Sequence, residues 1–352
     1  MELTREDLKE LPVTQSIVKQ IGSTHFGLGN RVAFLKVCDV ANMGVMQVGV
    51  SGIGKTKSLV AVKNMPFRKV FTRKFTLAGI KPAFNKYFSN SEVTWINFEL
   101  ADMSEFVIEN MFKVVCDVLT DRSCQVSTSL YDCNIQNATI SWLGACTYEI
   151  YNRLWKIPAW RGNFKDRILR YFVFAYKRKR VNPNDPHASV HFNLPAMHKV
   201  KITTSLFDEV VETLEYQFTS ERAFEYAERL LKGSARLNHR VEATDADAKF
   251  ILLQKPCFEA EGWVGKRKEI AGPVQIDVGA LKLFSEALKR GGVQIKKFVR
   301  LCRLESQGPI IDCLFKYPHL FKRISDWIFP NPKLVAEQIV PQIEFERMCL
   351  NV

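Results

Sequence analysis

Eight consecutive residues, Gly49-Val50-Ser51-Gly52-Ile53-Gly54-Lys55-Thr56, carry the most specific chemistry in the chain. They match the phosphate-loop pattern G-x-x-x-x-G-K-[ST] at every fixed position. The glycines let the backbone turn its N–H groups inward around a polyphosphate, and the positive end of the following helix faces the same group. In that arrangement Lys55 reaches the β- and γ-phosphates and the Thr56 hydroxyl ligates Mg²⁺. Gly49, Ser51, Gly52, Ile53, Gly54, Lys55, Thr56 and Lys57 are therefore the candidate nucleotide contacts, with ATP and Mg²⁺ as the expected ligands.

A triphosphate site of this kind needs further groups. The stretch Val93-Thr94-Trp95-Ile96-Asn97-Phe98-Glu99-Leu100-Ala101-Asp102 is apolar-rich and ends in acids. It reads as a buried parallel strand with a carboxylate at its end. That carboxylate orients Mg²⁺ or the attacking water. The usual signature ends in Asp-Glu; here Phe98 takes the Asp place, so Glu99 is the candidate catalytic base and metal ligand. The second acid is either absent or supplied by Asp102. Residues 137–147 repeat the strand pattern, and Thr147 at its end is placed to contact the γ-phosphate. Arg167 precedes the next strand (171–176) and is the candidate cation for a neighbour's nucleotide, with Arg161 and Arg170 as substitutes. His187 and His191 are four apart but lie among prolines, where a metal-binding helix is not expected.

The elements that must hold these residues are legible in part. Val45-Met46-Gln47-Val48 is a strand-type run before the loop, residues 57–63 open a helix after it, and residues 30–40 form a helix leading in. Ser104 is a candidate N-cap for a helix over 104–120, whose apolar positions recur at 3.6-residue spacing. Helices are expected over 219–237 and from Thr244, and again around 278–290, 294–304 and 308–317. Gly291-Gly292 joins two short helices, which suits a helix-turn-helix or winged-helix module.

With 352 residues and a net charge of +13, the chain is long enough for two or three domains and favours a polyanionic partner. The basic runs Arg68, Lys69, Arg73, Lys74 and Lys177-Arg178-Lys179-Arg180 point to the phosphate backbone of DNA. The cysteines are scattered without a C-x-x-C pair, which suits buried thiols in a reducing compartment rather than zinc. There is no run of 18 apolar residues, and the charged start lacks a secretory core, so a cytoplasmic protein with no membrane partner is expected.

Taken together, the phosphate loop, acid-ended strand, Thr-ended strand, pre-strand arginine and helical lid resemble the AAA+ ATPases. The lid is the most specific part: Ser220-x-Arg222, Arg229-Leu230, Ala235-Arg236-Leu237 and Val241-x-x-Thr244-x-x-Asp247-x-Lys249 resemble the lid of the minichromosome-maintenance helicases and their archaeal and viral relatives. The resemblance covers roughly residues 30–345. It implies an α/β fold: a phosphate-loop ATPase core with a parallel sheet over 30–200, a helical lid over 201–256 and a winged-helix-like domain over 257–352, preceded by a helical segment over 1–29. It further implies Thr147 at the sensor 1 position, Arg222 at sensor 2 and Arg167 as the trans-acting finger. ATP would sit at subunit interfaces of a homo-oligomer, with a hexameric ring as the implied assembly. What departs is the acid pair at Phe98-Glu99 and the lack of a helicase-type N-terminal domain. A DNA motor or remodeller is the function implied. An ATP-switched loader or scaffold is the alternative, and a small-molecule kinase does not need so large a lid.

Overall fold

The computed structural model describes residues 3–98, 100–174, 199–264 and 276–351. The chain begins with α1 (Arg5–Lys9), closed by a capping box between Thr4 and Asp7, and α2 (Pro12–Thr24), started by a proline. Helix α3 (Gly29–Val40) is buried along its whole length and delivers the chain to β1 (Gly44–Val48). The phosphate loop and α4 (Lys55–Lys63) follow. Next come β2 (Lys69–Phe71), α5 (Pro82–Phe88), β3 (Glu92–Asn97) and α6 (Glu105–Asp121), the last capped by Ser104. An antiparallel hairpin, β4 (Cys124–Ser127) and β5 (Asp132–Ile135), intervenes before β6 (Thr139–Cys146), α7 (Tyr148–Leu154) and β7 (Ile168–Phe172).

These strands form an α/β core: a five-stranded sheet of order β2-β3-β6-β1-β7 in which every pairing is parallel. Strand β1 thus lies between two strands that come later in the chain. Val48 is level with Cys146 on one side and Phe172 on the other, so the carboxyl ends open together. In open parallel sheets ligands bind at that edge, where the strand order reverses.

Each sheet face carries its own apolar core. One holds Trp95, Trp142, Phe112, Trp160 and Phe164, with Phe112 and Phe164 stacked at 3.8 Å. The other joins α2 and α3 to four helices, two lying between and two following the strands of a short parallel pair, β8 (Lys201–Ile202) and β9 (Glu242–Ala243). Those helices are α8 (Phe207–Leu214), α9 (Ser220–Leu237), α10 (Asp245–Leu252) and α11 (Lys255–Val264). Thr244 and Asp247 form the expected capping box of α10.

The rest of the chain runs α12 (Val278–Arg290), β10 (Val293–Gln294), α13 (Ile295–Cys302), α14 (Gly308–Lys316), β11 (Phe321–Ile324) and β12 (Trp327–Pro330). Its strands pair antiparallel in the order β10-β12-β11. The short α15 (Pro332–Leu334) leads to α16 (Val340–Leu350), which returns to α2 and α3. There the buried Glu346 carboxylate accepts from the Gly27 and Gly29 amides at 2.9 and 3.2 Å. Among the described residues no helix is long and apolar enough to cross a membrane. All nine cysteines are unbridged, and all but the half-buried Cys302 are buried.

Two basic residues differ from the sequence reading. Arg68 does not face outward: its side chain is buried and pairs with Asp39 at 2.8 Å, because Asp39 is a buried carboxylate that needs cations. Strand β7 starts at Ile168, so Arg170 is not a rim residue but lies inside the strand, bonded to Glu261 on α11 at 2.8 Å. Arg73, Lys74 and Lys81 remain exposed at the β2 edge. The run 177–180, and His187 and His191, lie outside the described residues.

Candidate phosphate-binding site

The loop from Gly49 to Gly54 leaves β1 at the carboxyl edge and re-enters as α4. It is anchored on both sides. The Gly49 amide donates to the Cys146 carbonyl of β6 at 3.3 Å, and the Val173 amide donates to Val48 at 2.8 Å. A Cβ on Gly49 would come within 2.8 Å of the Val173 carbonyl, so only glycine allows the chains to run this close. Gly52 and Gly54 adopt φ values of 74° and 84°, which side-chain-bearing residues rarely adopt. These left-handed turns curl the loop into the start of α4, where the helix leaves its first N–H groups without intrahelical partners.

Lys55, the first residue of α4, is only 9% exposed. Its Nζ donates to the Gly49 and Val50 carbonyls at 2.6 and 2.8 Å, which holds the ammonium inside the loop's curve. Thr56, next along, is exposed. Below them Ser58 Oγ lies 2.8 Å from Gln47 Oε1 on β1 and 2.6 Å from the Lys55 carbonyl, tying helix to strand. From the other side Arg31 of α3 donates to the Ile53 carbonyl at 3.1 Å and pins the loop's far end. The helix leading into β1 therefore supports the loop through Arg31. Ser51, Gly52 and Thr56 face solvent, while Ile53 is buried.

Thr147 follows β6 and caps α7, its hydroxyl accepting from the Ile150 amide at 3.4 Å. Its strand neighbours β1, so Thr147 stands at the same edge as the loop. On the first turn of α7 lies Glu149, whose carboxylate is ion-paired with Lys282 of α12. Burial works against that carboxylate, but the Lys282 ammonium, its own backbone N–H and the Thr147 hydroxyl outweigh it and keep it ionised below the usual range. Cys146 is different: burial pushes its thiol up to about 12, with the Lys55 charge pulling back only in part. It is a neutral packing group, not a nucleophile.

Glu99 lies outside the described residues. Before it, Asn97 accepts from the Trp142 ring N–H at 3.0 Å and Phe98 is half-buried. After it, the Leu100 amide donates to Ala145 at 3.3 Å, which brings this segment along β6 toward the same edge, and Asp102 sits exposed on the next turn. Among the described residues no group of three or more His, Cys, Asp or Glu is arranged to hold a metal ion.

Arg167, expected at a neighbouring subunit's nucleotide, and Arg222, expected at the sensor 2 position, both stand away from this chain's loop. Arg167 precedes β7 at the amino edge of the sheet, and its guanidinium donates to Thr120 Oγ1 at 2.6 Å and the Asn163 carbonyl at 3.0 Å. At about 3.3 Å of rise per residue, that edge is roughly 20 Å from the loop. Arg222 opens α9, pairs with Glu225 at 2.7 Å and lies over the Tyr226 ring at 5.9 Å. Tyr226 in turn reaches the Asp166 carbonyl at 3.5 Å, so both arginines share the amino edge. Burial raises the Tyr226 hydroxyl to about 12 even though Arg229, Arg222 and Arg167 all pull it down.

Arg31, Glu149 and Lys282 were not singled out from sequence. Arg31 and Glu149 each stand on the first turn of a helix flanking the loop, a signal that local reading offers. Lys282 is remote in sequence and has none. Compared with known proteins, the chain matches no family model and no curated protein.

Proposed function

We propose that this chain is a Mg²⁺-dependent ATPase of AAA+ type that binds ATP at the loop 49–56 and acts on DNA as a motor or remodeller. The observation that carries the reading is a curled glycine loop holding a buried Lys55 at the carboxyl edge of β1, between two later strands. Its backbone fits a polyphosphate: Gly52 and Gly54 take left-handed turns, and no atom stands within 4 Å of where a Cβ on Gly52 would lie.

In this reading the loop amides hold phosphate oxygens and the Lys55 ammonium neutralises their charge. Thr56 offers a hydroxyl to Mg²⁺, which when bound draws charge from the phosphate oxygens. Glu99 is the proposed base that takes a proton from water, and Thr147 reports the terminal phosphate. Arg167 and Arg222, at the opposite edge, act on the neighbouring subunit's nucleotide. That division of the site supports a homo-oligomer, with a ring as its simplest closed form. The order α12-β10-α13-α14-β11-β12 is that of a winged helix and supports a C-terminal module of that type.

For the nucleic acid, a groove of about 710 Å³ at the β2 edge is lined by Arg73, Lys74, Lys81, Phe84 and Tyr87. Cations interleaved with aromatic rings suit a phosphate backbone with stacked bases. A titration of short labelled DNA at rising salt tests this: binding that weakens steeply with salt and is lost on Arg73→Ala/Lys74→Ala is expected, and no binding at low salt overturns it.

A second reading, an ATP-switched loader or scaffold, is favoured by two observations. Phe98 stands in the usual Asp place, and α14 turns an 82% exposed Phe315 to solvent rather than a row of cations. Slow turnover unaffected by DNA would select it.

A further inference from the structure

We infer that Lys282 of α12 reads the terminal phosphate in its own chain's nucleotide site, leaving Glu149 for that phosphate when a triphosphate is bound. The inference rests on the reading that the loop 49–56 binds ATP. It adds a residue from the C-terminal unit that completes the site in cis.

Three observations carry it. Lys282 is ion-paired with Glu149, on the first turn of α7 just past Thr147, at the edge where β6 meets the phosphate loop. Second, a groove of about 760 Å³ has Val50 of the loop on one wall and Lys282, Leu283 and Glu286 of α12 on another, closed by Phe298 and Cys302 of α13. Lys282 therefore shares a solvent space with the loop itself. Third, the pair is easy to part: Lys282 is 38% and Glu149 49% exposed.

Besides Glu149, which pairs with Lys282, the acids around this groove are Asp277, engaged with Lys316 at 3.3 Å, Asp312 and, one turn along α12 from Lys282, Glu286. Glu286 is already engaged with Arg290 at 2.8 Å and Lys289 at 3.8 Å, which leaves Glu149 as the partner for Lys282. A terminal phosphate arriving beside Glu149 brings like charge against that carboxylate and offers Lys282 a stronger anion. The flexible four-carbon stem lets the ammonium change partners without moving α12. A diphosphate, shorter by one anionic group, gives Lys282 no such partner. The C-terminal unit would thus be linked to the site in one nucleotide state through phosphate and in the other through Glu149.

The test is fluorescence titration of mant-labelled ADP and a mant-labelled methylene-bridged ATP analogue, with Mg²⁺, into the full chain. Lys282→Met is expected to weaken the triphosphate by roughly fivefold to tenfold, with the diphosphate changed by less than about twofold, while Lys282→Arg keeps the preference. Glu149→Gln is expected to tighten the triphosphate, and most of that gain should vanish in Glu149→Gln/Lys282→Met. Simple relief of repulsion by Glu149 would survive in the double variant and would overturn the inference. So would an unchanged triphosphate-to-diphosphate ratio in a folded Lys282→Met. Lys55→Ala separates the two levels: loss of both nucleotides there, beside an unchanged ratio in Lys282→Met, removes Lys282 and leaves the loop reading standing. Failure of the wild type to bind either nucleotide removes both.

Discussion

Replacing Asp39 by Asn should be among the most damaging single changes in the chain. Asp39, near the end of α3, is 1% exposed and meets the sheet at Thr94 of β3 and Ser141 of β6. Its carboxylate accepts from Lys36 Nζ and Arg68 Nη2, both at 2.8 Å, and from the Thr94 and Ser141 hydroxyls at 2.7 and 2.5 Å. Burial opposes its charge, but the two cations and these hydrogen bonds outweigh burial and hold its pKa far below the usual carboxylate range. The Asn amide keeps the shape and removes the charge, which leaves two cations buried without their anion. Breaking a buried pair in this way costs about 3–5 kcal/mol, against roughly 5–15 kcal/mol for a typical domain's whole stability. A fall in melting temperature on the order of 10 °C follows. The pH dependence gives a second readout. A carboxylate whose folded pKa lies below its unfolded value of about 3.9 stabilises fully above that value. That contribution is lost as the pH drops from there toward the folded pKa. Wild-type stability should therefore fall more steeply than that of Asp39→Asn between about pH 5 and pH 3. Urea unfolding at pH 7, with melts across that range, reads both. A loss under about 1 kcal/mol with parallel pH profiles would refute the reasoning.

Other changes separate the site from its support. Gly54→Val places a β-branched residue at a φ of 84°. It should cost about 1–3 kcal/mol by urea unfolding and, more tellingly, abolish nucleotide binding in calorimetry. Glu261→Gln strands the buried Arg170, which holds α11 to β7, and should destabilise by about 3 kcal/mol with nucleotide affinity kept in the folded fraction. Arg167→Ala should bind ATP normally yet lose turnover, and mixing it with Lys55→Ala should restore some, because each supplies the half-site the other lacks. An absence of restored turnover in the mixture argues against a shared site.

Local signals were legible and distant ones were not. The loop, β1, α3, α4, the Ser104 cap and the Thr244 capping box depend on residues within a few positions of one another, and all stand where those residues place them. Arg68 and Arg170 misled because a basic residue in a β-leaning stretch looks solvent-facing until its acid is known. Those acids, Asp39 and Glu261, lie on other elements. The hairpin β4-β5 passed unnoticed since its strands are four residues each and only partly apolar. At the candidate site, the residues that make the loop were readable from its motif. Lys282 was not, because an amphipathic helix in a separate unit gives no hint that it leans over Glu149.

The most direct measurement is calorimetric titration of Mg²⁺-ATP into the wild-type chain and into Lys55→Ala. Saturable binding by the wild type, weakened at least about thirtyfold in a Lys55→Ala variant that melts like wild type, is the predicted result. Equal binding by the two proteins, or none by the wild type, would contradict the account.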